Sequence, residues 1–203
     1  MDKEKKRTEI AKKIEEAKKT VQPELMKFLV VLGTESERSA VVLGAERVNV
    51  SLESNLKKFL RPCPDNQDTL FSSDGALGTF SRKIELAYRL GLIDLKFKRA
   101  LNLVRKLRND FAHAITVESL QDGAHASRVA ALFTLMNTED NSVAPIALAF
   151  TNAAKEVGKE VGDKTANYLG CIMMLLLKVE MARFHLEPPS VDIPAKINFK
   201  DPD

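Results

Sequence analysis

Tryptophan is missing from this chain, tyrosine and cysteine each occur twice, and histidine three times. Each scarcity closes off a class of protein. Two cysteines, Cys63 and Cys171, build no disulfide framework and no metal-ligand spacing, so two reduced thiols in a cytoplasm are expected. His113, His125 and His185 stand far apart, and no Cys or His pair is spaced like a zinc site. No metal and no cofactor are therefore expected. A Gly-rich phosphate loop and a nucleophile elbow are also missing, which lowers the case for an enzyme. No apolar run reaches the ~18 residues a membrane span needs, and the first fifteen residues lack the apolar stretch of a secretory signal. The expectation is a soluble, cytoplasmic protein with no membrane partner.

The 203 residues suffice for one well-buried core, and 44% apolar with 29% charged residues is an ordinary globular balance. The formal net charge is +3. Residues 1–20 hold eight Lys/Arg and five Asp/Glu, which leaves 23 of the 31 basic and 23 of the 28 acidic residues for the rest. All the excess charge thus sits in the tail, and a strong nucleic-acid binder usually carries more. Three parts are expected: a charged N-terminal helix over 1–20, a helical domain over 21–186, and an extended, proline-bearing tail over 187–203.

Helical periodicity runs through the domain. Pro23 opens a short helix that Gly33 ends, and a long helix spans Ser36 to Leu60 with Val41, Ala45, Val48, Leu52 and Leu56 on one face. Asn49 lies inside that apolar arc, so a polar seam through the core is expected. Residues 61–74 read as a loop, with Ser73 or Asp74 capping a helix that starts near Ala76 and stops at Gly91. A helix ending at His113 follows, then a short one around Ala126–Leu135, another over residues 143–160, and one over Ala166–Phe184 that is apolar nearly all round. The fold class is an all-α, single-domain bundle of about six to eight helices. The last of these helices belongs either in the middle of the bundle or at a subunit interface, and a homodimer is expected on that ground.

One cation breaks the pattern. On a helical wheel Arg108 falls within the apolar half formed by Phe97, Leu101, Val104 and Phe111. A buried guanidinium needs a carboxylate, and Glu46 and Glu53, two turns apart at the edge of the long helix's apolar face, are the expected partners, Glu53 slightly favoured by reach. Arg105, Asn109 and His113 are spaced by four and share one stripe. An Arg and a His together can cleave RNA without metal, the His moving a proton on the ribose hydroxyl and the Arg stabilising phosphate charge. Positions five apart point about 140° from each other on a regular helix, however, so Arg108 and His113 converge only through distortion or a second subunit. The plainer reading is structural, with Arg108 bridging core helices and Asn109 and His113 tying down the next loop.

The run LGTFSRKIELAYRLGLI followed by LNLVRKLRNDFAH resembles the signature segment of the mannitol operon repressor family of small bacterial helical proteins. Gly78, Phe80, Ser81, Ala87, Gly91, Leu92, Ile93, Arg105, Arg108, Asn109, Phe111, Ala112 and His113 carry the resemblance. It implies a transcriptional regulator that acts through a protein partner such as a transcription factor, since no helix-turn-helix reading unit is recognisable. The pattern Arg108-Asn109-x-x-x-His113 is also similar to the Arg-x₄₋₆-His motif of HEPN domains, helical bundles in which Arg and His form a metal-independent ribonuclease site across a dimer. Under that alternative Arg108 and His113 are catalytic, Asn109 is their polar neighbour, and RNA is the nucleic acid contacted.

Overall fold

The computed structural model describes residues 23–25, 27, 28, 30–63, 68–116, 118–138, 142–156 and 158–186. The helix expected over 1–20 and the tail expected over 187–203 lie outside these residues. Helix α1 (Glu37–Phe59) starts where Ser36 takes the amide of Ser39 on its hydroxyl, and it ends with Lys57 and Lys58 beside the negative end of its dipole. A helical stretch ending at residue 34 precedes it and lays Leu25 and Leu32 into the core. Then come α2 (Phe80–Arg89), α3 (Leu95–His113), α4 (Gly123–Met136), α5 (Ala144–Glu156) and α6 (Asp163–His185). No strand occurs among the described residues, and the protein is an all-α, single-domain bundle.

At the centre lies α6, packed against α1, α4 and α5, while α3 packs against α1, α2 and α4. Eleven residues of α6 are buried, on all sides of its axis. The all-round apolar pattern is thus satisfied within one chain, and no second copy is needed to cover it. By length and composition α6 is the one helix among the described residues that could cross a bilayer, yet it is also the core helix of the bundle. Close approach is built in at two glycines. Gly44 of α1 faces Ile172 of α6, and Gly170 of α6 faces Val143 and Ala147 at the start of α5. Tyr168 is fully buried and donates its hydroxyl to the Val41 carbonyl at 3.0 Å, so it ties α6 to α1, and burial pushes its phenol well above the usual range.

The expected start of a helix near Ala76 is corrected. Residues 69–71 form a short 3-10 turn capped by Asp68, the Leu77 amide returns to the Leu70 carbonyl at 2.8 Å, and α2 begins only at Phe80, capped by Thr79. The cause is Gly75 and Gly78: a Cβ on either would sit 2.2 Å from the carbonyl oxygen of Thr69 or Ser72, so the chain coils back on itself there. That late start opens space beside α1 and α3. Gly91, at φ 72°, supplies the left-handed stop expected for α2, and Asp94 caps α3 with a 2.7 Å bond from the Phe97 amide.

Candidate functional site

Three elements leave a cleft of about 530 Å³ where they diverge. Its walls are Glu46 and Asn49 of α1, Gly78, Thr79, Phe80 and Ser81 at the entry to α2, and Arg105, Arg108 and Asn109 of α3. A chain of polar contacts runs inward from it. Arg108 Nη1 donates to Asn109 Oδ1 at 3.2 Å and Nη2 to Glu46 Oε2 at 3.4 Å. Asn49 Nδ2 donates to Glu46 Oε1 at 3.0 Å and its Oδ1 accepts from Lys83 Nζ at 3.3 Å. Lys83 then meets Glu53 Oε2 at 2.6 Å, and Lys57 holds Glu53 Oε1, also at 2.6 Å. This is the polar seam expected from Asn49.

Arg108 is not the buried cation, and Glu53 is not its partner. Its side chain is 28% exposed and that of Glu46 49%, so this ion pair is a surface one, worth ~0–1 kcal/mol rather than the roughly 3–5 kcal/mol of a buried pair. The wheel placed Arg108 on the correct side, facing α1, but there α1 and α3 have parted to form the cleft. Among the described residues the buried cation is Lys83, 3% exposed. Sequence reasoning missed it although the signal was present, because Lys83 lies between Phe80 and Ala87 on the stripe that α2 buries. Burial raises the Glu53 carboxyl, but hydrogen bonds and charge from Lys57 and Lys83 outweigh it and hold the group below its usual range.

His113 does not join the cleft. It is exposed in the last turn of α3, with no side-chain hydrogen bond among the described residues, and the neighbouring Ala112 carbonyl is taken by Arg38 at 3.3 Å. One chain therefore brings together Arg105, Arg108, Asn109 and Glu46, and leaves Glu53 at the far end of the seam, beyond Asn49 and Lys83, and His113 outside. A second polar group, unforeseen in the sequence, surrounds His125 in the first turn of α4. Its Nε2 lies 3.3 Å from Asp110, its Nδ1 3.3 Å from Glu118, and Asp110 is also paired closely with Arg128. Although His125 stands at a helix end, only 15% of its side chain is open and its ring centroid sits 5.2 Å from that of Phe111. These partners come from three separate segments, and nothing in local spacing joins them.

An apolar hollow of about 380 Å³, lined by residues such as Val30, Ile146, Phe150 and Met173, carries no charge among the described residues except Glu156. It offers packing without chemistry, and the cleft is the better candidate. No family model, curated protein or solved structure matches this chain.

Proposed function

We propose that the protein is a bacterial transcriptional regulator resembling the mannitol operon repressor, acting through contacts with another protein and using the cleft as its recognition site. One observation supports it above the rest. Gly78, Phe80, Ser81, Arg105, Arg108 and Asn109, all carriers of the resemblance, gather at a single solvent-open cleft instead of dispersing through the core. The cleft holds donors and acceptors but no acid–base pair, as a binding site does. Partner and second copy alike would approach from solvent, and the excess charge in residues 1–20 leaves a near-neutral domain ill-suited to tight DNA binding on its own. The second reading is a HEPN-like ribonuclease assembled across two chains, favoured by Arg108 and His113 both reaching solvent on different sides of α3.

One experiment separates the two. Purified protein is incubated in chelator with structured and single-stranded RNA, and in parallel titrated with operator-like DNA at physiological salt. Intact RNA and weak, sequence-blind DNA binding are expected. Fragments with cyclic phosphate ends that vanish in folded His113→Ala and Arg108→Ala proteins would replace the regulator by a ribonuclease, and tight sequence-selective DNA binding would replace it by a direct DNA reader.

A further inference from the structure

We propose that the cleft between α1, the entry to α2 and α3 binds the phosphate group of a small phosphate monoester. The first ground is Arg105. Only its Nε is engaged, donating to Asn102 Oδ1 at 3.3 Å, and its two terminal nitrogens meet no acceptor among the described residues. Beside it, Arg108 spends one nitrogen on Asn109 and reaches Glu46 with the other only at 3.4 Å, the outer limit of a hydrogen bond. Two planar guanidinium forks at one cleft match the oxygens of a tetrahedral anion, and among the described residues that line it a single carboxylate opposes them, so this lining is net cationic.

Glu46 is the obstacle to any anion, and its geometry shows how the obstacle yields. It is half exposed, and its other oxygen is held by Asn49 at 3.0 Å. An entering phosphate can take Arg108 Nη2 while Glu46 keeps Asn49 and turns to water. The entry to α2 adds to the field without carrying the site. Phe80 and Ser81 begin that helix at the cleft wall, and Thr79 takes the amide of Arg82 on its hydroxyl and that of Lys83 on its carbonyl, so the amides of Phe80 and Ser81 remain donors at the positive end of the helix. Hydroxyls and amides make up the remaining polar lining, which suits a hydrophilic body on the ester rather than an apolar one. A volume of about 530 Å³ is of small-molecule size.

The inference rests on the cleft being a recognition site, and its test needs neither partner nor DNA, so its failure leaves the regulator reading standing. Glycerol 3-phosphate and inorganic phosphate are titrated calorimetrically at constant ionic strength into wild type, Arg105→Gln and Glu46→Gln, each checked for helix content. Saturable binding of the ester at one site per chain is expected, about tenfold weaker in Arg105→Gln, which removes two unengaged donors, and several-fold tighter in Glu46→Gln. A merely structural role for Glu46 would not tighten binding. Absence of saturable binding, indifference to Arg105→Gln, or weaker binding in Glu46→Gln would overturn the proposal. Inorganic phosphate binding as tightly as the ester, or a single-stranded RNA binding more tightly with the same Arg105 dependence, would overturn the assignment to a small ester.

Discussion

Lys83 shows how a charge survives in an apolar core. An ammonium 3% exposed costs several kcal/mol unless paired, and Glu53 at 2.6 Å with Asn49 at 3.3 Å supplies both charge and hydrogen bonds. Removing Glu53 alone strands it. Glu53→Gln is expected to destabilise by about 3 kcal/mol, and adding Lys83→Met should recover much of the loss, because an apolar side chain of similar length needs no partner. Urea midpoints of the three proteins check this, and a double variant no better than the single would show that the pair is not coupled. The pH dependence has a definite sign. Lys57 and Lys83 depress the folded value of Glu53 below its unfolded one, so its stabilisation is present above the unfolded value and is lost as pH falls through the folded one. The gap between wild type and Glu53→Gln should therefore narrow on acidification, and a gap that widens would contradict the pairing.

Helix spans were legible where local chemistry decides them. Ser36 with a following apolar period marked α1, and Gly91 marked the end of α2, since a cap or a left-handed stop is a property of a few neighbouring residues. The start of α2 was not legible: Ala76 and Leu77 look helical, and only the carbonyls of residues 69–73, close against Gly75 and Gly78, forbid it. The cleft was half legible for the same reason. Periodicity aligned Arg105 and Asn109 with His113, set Arg108 apart on the apolar half and nominated Glu46 or Glu53 as its partner, but whether a neighbouring helix covers them depends on where α2 begins. Packing between elements carries its own prediction. At Gly170, alanine would favour the helix by about 1 kcal/mol, yet its Cβ would lie 2.9 Å from Val143 Cγ1 and 3.2 Å from the Ala147 amide nitrogen. A methyl of Val143 can shift, but a backbone nitrogen moves only with α5, and such overpacking costs ~1–3 kcal/mol. Gly170→Ala should thus lower stability by roughly 1 kcal/mol, measured by thermal unfolding, and a stabilised variant would mean that α5 is free to retreat.

One core cluster joins α1, α2, α3, α4 and α6 with the stretch before α1, so the described bundle should open as a unit. Its two cysteines report on this independently. Cys63 is exposed, whereas Cys171 is buried in the middle of α6 and burial pushes its thiol up to about 12, so near neutral pH it is neither accessible nor ionised in the native state. A thiol reagent should modify Cys63 at once and Cys171 only when α6 leaves α1, α4 and α5. If that requires global unfolding, the opening free energy from the Cys171 labelling rate will equal the unfolding free energy from urea. The comparison has a clear failing result. Labelling at an opening cost a few kcal/mol lower would show that α6, or α5 over it, detaches while α1, α2 and α3 remain folded around the cleft.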